Sequence, residues 1–208
     1  VEQWRLLSVH ARLMPIDRLR AALLADGSPG FRGDWDVTAD TGFDRAASLT
    51  PAAVLIAITD EAEPQLLLTR RNANMAKHPG QIAFPGGRVD PEDASHVAAA
   101  LREAEEEVAL ARRHVEVLGT LGPYETGTGY AITPVVGIVP PGLVLRRAEA
   151  EVAEVFHVPF AHVIDPANHE LHSGEWQGRK RNFFIIRHGA HEIWGATAGM
   201  IVNLSRRL

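Results

Sequence analysis

The chain has 208 residues, enough for one sizeable domain with extensions, and its composition is that of an ordinary globular protein. It contains no cysteine, which excludes disulfides, zinc–thiolate sites and thiol nucleophiles and suits a cytoplasmic location. The formal net charge of -5 argues against general nucleic-acid binding, so an anionic ligand would need a local basic patch.

The longest apolar run, "AAVLIAI" from Ala52 to Ile58, is far too short to span a bilayer. The N-terminal stretch lacks the continuous apolar segment of a secretory signal. It instead predicts a helix from about Pro15, with Ile16, Leu19, Ala22 and Leu23 on one face. "DGSPGFRGD" (26–34) is rich in Gly and Pro and reads as a connector. "AAVLIAIT" (52–59) is apolar and β-rich, a buried strand, and "PQLLLTRR" (64–71) is its expected hairpin partner. "RNANMAKHPG" (71–80) reads as loop, and "QIAFPGG" (81–87) as a short strand running into a Pro-Gly-Gly break.

A helix is predicted over about 94–110, followed by strands in "VEVLGTLG" (115–122) and "YAITPVVGIVP" (130–140). "EVAEVFHVPF" (151–160) predicts a strand entering a short helix around Ala161 to Ile164, and "RNFFIIR" (181–187) a strand paired with it. "IWGATAGMIVNLSRRL" (193–208) predicts an apolar closing helix whose basic end suits its dipole. Mixed strands, few helices and no strict βα alternation indicate an α+β or α/β/α sandwich.

The stretch "REAEEEVAL" (102–110) puts four glutamates into five residues. On a helix Glu103, Glu106 and Glu107 share one stripe, because residues three and four apart are neighbours. Val97, Leu101, Ala104 and Val108 form a separate apolar stripe that would pack on the sheet. Glu105 projects away, and Arg102 stands four before Glu106, close enough to pair with it. Periodicity alone leaves two readings open. One is a solvated acidic face; the other is a site for a hard divalent ion such as Mg²⁺ or Mn²⁺, which carboxylate oxygens suit.

"FPGGRVDPEDASHVAAALREAEEEVAL" (84–110) resembles the Nudix box, the signature of hydrolases that act on nucleoside diphosphates linked to another moiety. Gly87 takes the first position, Asp93 the first acidic one, Arg102-Glu103 the central pair and Glu106-Glu107 the closing pair. Asp93 replaces Glu, eight residues rather than seven separate it from Arg102, and Ala109 stands where Gly is usual. "LLLTRRNANMAKHPGQIAFPGG" (66–87) is similar to the second motif of the coenzyme A pyrophosphatase branch. "ITPVVGIV", "EVAEVFHVPF" and "IWGATAGMI" extend that resemblance over most of the chain from about Pro51. Asn72 stands where this branch has Ser or Ala, and Ala76 where it has Arg, with Lys77 next to it.

The resemblance implies an α+β fold of the Nudix type: an α/β/α sandwich with a mixed sheet over 35–208, preceded by a helix and connector over 1–34. It implies hydrolysis of the diphosphate bond of coenzyme A or a derivative, assisted by Mg²⁺ or Mn²⁺. Glu103 and Glu107 are the first expected metal ligands, Glu106 the third, and Gly87 offers a main-chain carbonyl. Arg102 positions the glutamates. Arg70, Arg71, Lys77 and Arg88 flank the box and form the expected basic rim for substrate phosphates. The base that deprotonates water is one of Glu106, Glu151, Glu154 or Glu125. His78 and His96 carry no ligand assignment. The expected partner is a small molecule of the coenzyme A type, with no nucleic acid and no membrane. Another substrate (NADH, ADP-ribose or a dinucleoside polyphosphate) and a non-catalytic binding module are the alternatives; the intact Arg102, Glu103, Glu106 and Glu107 speak against the second.

Overall fold

A computed structural model describes residues 14–24, 31–38, 48–75, 78–176 and 178–208. The part of the Gly/Pro-rich connector at 26–30, together with Ala76 and Lys77, lies outside the described residues. Helices α1 (Met14–Leu24) and α2 (Asp34–Thr38) precede strands β1 (Thr50–Thr59), β2 (Gln65–Arg71), β3 (Ile82–Ala83) and β4 (Gly86–Arg88). Helix α3 (His96–Val108) is followed by β5 (Glu116–Thr120), β6 (Tyr124–Glu125), β7 (Tyr130–Val139) and β8 (Val152–Pro159). Then come α4 (Phe160–Ile164), β9 (Glu170–Trp176), β10 (Arg179–His188), β11 (His191–Trp194) and α5 (Ala196–Ser205). None of the described helices is long and apolar enough to cross a membrane.

Strand β1 is the axis of the main sheet. It runs parallel to β7 along its whole length and is buried on both faces. Ala53, Leu55 and Ala57 face one core cluster with Ala99, Ala100, Ala104 and Val108 of α3. Val54, Ile56 and Ile58 face the other, with Leu19 of α1, Ile186 and Ile193 of β10 and β11, and Met200, Ile201 and Leu204 of α5. The small alanines let α3 lie close to the sheet, and the strand's period of two sends alternate residues to the two layers. The result is a mixed-sheet α+β sandwich, as expected. Leu19 is completely buried, so α1 belongs to the same core as the sheet.

The sheet forks, and the fork makes the site. β1 and β2 are antiparallel partners at Ile58 and Leu66, next to their hairpin turn. They then part, and residues 82–88 fill the gap: β3 pairs with β2, and β4 pairs with β1. Phe84 is buried in the core between them, and the Leu55 N–H donates to the Pro85 carbonyl at 2.8 Å. Gly86 and Gly87, expected to break the chain, are therefore strand residues. A Cβ on Gly86 would stand 2.6 Å from the Val54 Cα, which only glycine avoids.

Two strands differ from expectation. "RNFFIIR" lies in β10 and pairs with β9 and β11 in a separate three-stranded sheet, while β8 pairs with β2. The polar β9, "ELHSGEW", shows no apolar alternation that would mark it as a partner. Ile193 and Trp194 belong to β11, and the closing helix begins only at Ala196. The short α2 was also unexpected. Asp34 docks it on the body, its Oδ1 accepting from the Tyr124 hydroxyl at 3.0 Å and its Oδ2 from the Gly127 N–H at 2.7 Å.

Helix α3 is capped at both ends. The Ser95 hydroxyl accepts from the Ala98 N–H at 3.1 Å, a standard N-cap. At the other end Ala109 adopts the left-handed conformation, φ 56° and ψ 30°. Its N–H donates to the Glu105 carbonyl at 3.0 Å and the Leu110 N–H to the Ala104 carbonyl at 3.2 Å, while Leu110 enters the core. Thus the helix ends as it would with glycine, at the steric cost of a Cβ in this region. Ala109 is exposed, so its methyl contributes no packing. Ala109→Gly should stabilise the protein by roughly 0.5–1 kcal/mol. The urea midpoint should rise with the slope unchanged; a lower midpoint would refute the strain.

Candidate active site

Helix α3 and the glycines of β4 meet where the fork opens. Gly87 lies against the Glu103 carboxylate so closely that a Cβ there would sit 2.4 Å from Oε1. One turn further along, the Gly86 N–H donates to Glu107 Oε2 at 3.2 Å. Glu103 and Glu107 thus project from one side of the helix onto main chain that has no side chains in the way.

Arg102 organises the outer part of the site. Its Nε and Nη2 form a fork on Asp93, at 3.1 Å to Oδ1 and 2.9 Å to Oδ2. Nη1 donates to Glu103 Oε1 at 3.1 Å and to Glu106 Oε2 at 2.9 Å, and Nη2 also reaches the Arg88 carbonyl at 3.1 Å. The fork on Asp93 raises the Arg102 guanidinium further and holds Asp93 below the usual carboxylate range. The extra residue in the box sits in a turn before the helix. There the Asp93 N–H donates to the Asp90 carbonyl and the Asp93 carboxylate accepts from the Asp90 N–H, which returns Asp93 to Arg102. Asp90 Oδ2 is itself 3.4 Å from Arg102, a contact the sequence pattern did not disclose.

The inner carboxylates are less well compensated. Glu107 is only 5% exposed, and among the described residues it pairs with Arg71, with Nη1 3.8 Å from Oε1. Burial pushes its carboxyl up to about 7, against the Gly86 hydrogen bond and the Arg71 charge. Burial also raises Glu103, opposed by Arg102. The Glu103 charge lifts Glu107, the Glu106 charge lifts Glu103, and Glu151 lifts both. Hence Glu151, one of the four acids considered as base, lies near this face.

The remaining expected residues separate by position. Glu106 is 59% exposed and held by Arg102 on the outer side. Glu105 points away, as expected, and pairs with Arg112 at 3.1 Å. Arg70 and Arg71 diverge. Arg71 faces α3, and its buried Nε has no hydrogen-bond partner among the described residues. Arg70 faces the opposite side of the sheet, with Nε 3.1 Å from Glu154 Oε2, and His191 Nε2 is 3.1 Å from Glu154 Oε1. Glu154 is thus engaged away from Glu107. Adjacent residues of a strand point to opposite faces, so this divergence was readable from "LLLTRR". Arg88 lies at the rim, donating to the Tyr130 hydroxyl at 3.3 Å. Glu125 acts on Arg32, and His78 and His96 are exposed. An apolar hollow of about 310 Å³, lined by residues including Leu67, Leu110, Leu143 and His157, lies near the C-terminal end of α3 and holds none of the site carboxylates.

Among the described residues, no three carboxylate or imidazole groups converge as a ready-made ion cage. Repulsion between like charges and the pull of Arg102 on Glu106 and Glu103 account for that. The donor chemistry nevertheless fits a hard divalent ion. Two carboxylates with raised proton affinity face a glycine main chain, and a cation there would offset their repulsion.

A mixed-sheet sandwich whose glycine-lined fork faces an acidic helix defines a hydrolase framework. The chain belongs to the Nudix family: the model of the NUDIX domain matches residues 49–179. It is a hydrolase acting on phosphoanhydride bonds of small molecules, and the family generally uses divalent metal ions. Among its relatives are two proteins named "Uncharacterized Nudix hydrolase NudL". The one from Escherichia coli K12 is 46% identical over 157 residues, covering 76% of this chain and 82% of its own. The one from Photorhabdus laumondii is 43% identical over 157 residues, covering 76% and 84%. Solved structures with a similar fold include a MutT/nudix family protein from Enterococcus faecalis, at TM-score 0.48 and 16% identity over 78% of this chain and 62% of that one. A C. elegans Ap4A hydrolase complex has TM-score 0.47 and 20% identity over 57% and 86%.

The raised Glu107 carboxyl makes stability depend on pH. Between about 4.5 and about 7 the folded protein binds more protons at Glu107 than the unfolded chain does. Stability in chelator should therefore fall across that window, by about 2–3 kcal/mol from this group. Glu107→Gln keeps an acceptor for the Gly86 N–H and removes the charge. At pH 8 in chelator it should unfold several degrees above the parent, whereas at pH 4.5 the two should coincide. Parallel melting curves at both pH values would refute the buried-charge assignment.

Proposed function

We propose that the protein hydrolyses the diphosphate bond of coenzyme A or a derivative, releasing 3′,5′-ADP and 4′-phosphopantetheine, with Mg²⁺ or Mn²⁺. The observation that carries this reading is the placement of Arg71. It belongs to the segment resembling the coenzyme A branch, yet it stands beside Glu107 of the box, with Nη1 3.8 Å from Oε1. The residue of the substrate motif and the residue of the hydrolytic motif therefore share one site.

Water attacks one phosphorus, the bridging P–O bond breaks, and a carboxylate takes the proton released by the water. A bound divalent ion would supply charge neutralisation and water activation at the anhydride. Glu103 and Glu107 would hold it, with the Gly87 main chain beside them. Arg102 keeps Glu103 oriented through the Nη1 bond and fixes the loop before the helix through Asp93. Arg71 would bind a diphosphate oxygen. Arg88 at the rim is the candidate for a more distant phosphate. Arg70, held on Glu154, would need to exchange that partner to join it. Among the three candidate bases outside the box, Glu151 is favoured, because its charge alone of Glu125, Glu151 and Glu154 acts on both inner glutamates.

Hydrolysis of another nucleoside diphosphate derivative is the second reading. The observation favouring it is Asn72, which departs from the coenzyme A motif. Incubation with coenzyme A and Mg²⁺, followed by product separation, should give an adenosine bisphosphate peak. In competition, NADH, ADP-ribose and dinucleoside polyphosphates should be poorer substrates. Glu103→Gln and Glu107→Gln should each lower kcat by roughly two orders of magnitude or more while the protein stays folded. Efficient cleavage of one of the competitors with coenzyme A untouched would replace the substrate and keep the reaction.

A further inference from the structure

Arg88 directly follows Gly87, and its carbonyl accepts from Arg102 Nη2 at 3.1 Å, so its main chain is fixed to the acidic box. Its side chain is exposed and reaches Tyr130, the first residue of β7. Nη2 donates to the Tyr130 hydroxyl at 3.3 Å, and the guanidinium carbon lies 5.8 Å from the centroid of the tyrosine ring. Tyr130 is itself held. Its N–H donates to Thr126 Oγ1 at 3.1 Å, and its carbonyl accepts from the Thr126 N–H at 2.8 Å. The Gly129 N–H donates to the Thr126 carbonyl at 3.1 Å, and the Gly129 carbonyl accepts from the Thr50 N–H at 2.9 Å. Gly127, between them, is tied by its N–H to Asp34 of α2. The turn 126–129 therefore rests on α2 at one side and on β1 at the other, and it delivers Tyr130 to a fixed place beside Arg88.

Coenzyme A carries a 3′-phosphate besides its diphosphate. With the diphosphate on the face of Glu103 and Glu107, the 3′-phosphate is the anionic group left for the rim. A surface arginine loses rotamer freedom when it grips an anion, and one already held loses less. Arg70, Arg71 and Arg102 each stand against a carboxylate. The hydroxyl that holds Arg88 adds no negative charge to compete with a phosphate, and it takes one of the five guanidinium donors. We propose that Tyr130 is a positioning residue that presents Arg88 to the 3′-phosphate, so that the pair sets a preference for coenzyme A over 3′-dephospho-coenzyme A. The proposal rests on the coenzyme A reading of the site.

The test compares kcat and KM for these two substrates, with Mg²⁺ and the full chain, in the parent protein, Tyr130→Phe, Arg88→Ala and the double variant. The readout is the ratio of kcat/KM for coenzyme A to that for the dephospho form. The parent should favour coenzyme A by roughly tenfold or more, and Arg88→Ala should bring the ratio close to unity. Tyr130→Phe should lower the ratio roughly threefold to tenfold, through KM for coenzyme A. It should change nothing further once Arg88 is gone. A merely structural role would slow both substrates alike and leave the ratio where it was. Tyr130→Leu, which removes ring and hydroxyl together, should lower the ratio at least as far. An unchanged ratio in Tyr130→Phe and Tyr130→Leu, or a loss that persists in the Arg88→Ala background, would overturn the proposal. A parent with no preference, or an Arg88→Ala variant that keeps it, would overturn the proposal and leave the coenzyme A reading standing. Cleavage of neither substrate would overturn the coenzyme A reading and the proposal with it.

Discussion

One guanidinium holds the acidic box together. Arg102 contacts Asp93, Glu103 and Glu106 within 3.1 Å, and without it these carboxylates would face one another as like charges. Its planar fork matters as much as its charge. Two nitrogens clamp Asp93 and fix the turn before the helix, while the third reaches along the helix to the glutamates. A lysine, with a single compact ammonium, could not do both. The reach of Arg102 ends at Glu106. Among the described residues, Glu107, facing the sheet, has only Arg71 paired with it, at 3.8 Å. The box therefore has a neutralised outer side and an under-compensated inner side, and the inner side is where a cation has most to offer.

The forked sheet determines where that inner side opens. β1 and β2 separate beyond their hairpin, and the segment carrying Phe84, Pro85, Gly86 and Gly87 enters the gap. Phe84 anchors the segment in the core, so the glycines are delivered at a fixed depth. On the helix side, Ala99, Ala100 and Ala104 permit close packing on Ala53 and Leu55. Small residues on both partners bring main chain and carboxylates into contact. Larger ones at either place would move Glu103 and Glu107 away from the glycines. Core packing and site geometry are thus one constraint.

Much of this was legible in the sequence because it is local and periodic. The helical stripe of Glu103, Glu106 and Glu107, the buried β1, the β8-to-α4 junction and the box spacing all follow from residues a few positions apart. The parting of Arg70 and Arg71 was equally accessible through the strand's period of two. What could not be read is long-range pairing. Nothing in "RNFFIIR" says that its neighbours are β9 and β11, and the polar β9 carries no alternation to announce itself. The main-chain bond that ties Asn72 to Glu151, nearly eighty residues later, is likewise encoded by no side-chain pattern. Ala109 is a different case: the local preference for glycine was clear, and the helix end forms with alanine regardless.

Helix α3 therefore carries two locally unfavourable features, a buried glutamate and a left-handed alanine. Both persist because the helix buries Ala99, Ala100, Ala104 and Val108 on the sheet and Leu110 beyond its end. Their meaning differs. The left-handed φ of Ala109 is used by the helix end, but its exposed methyl is used by nothing in the structure, so that strain can be relieved without touching the site. The charge on Glu107 is unfavourable only while no cation faces it. Relieving it by substitution removes a donor, whereas relieving it by binding converts lost stability into affinity. On the proposed function, the rule broken at Glu107, next to a glycine-lined opening, is compensated by an ion from outside the chain, whereas nothing compensates the strain at Ala109.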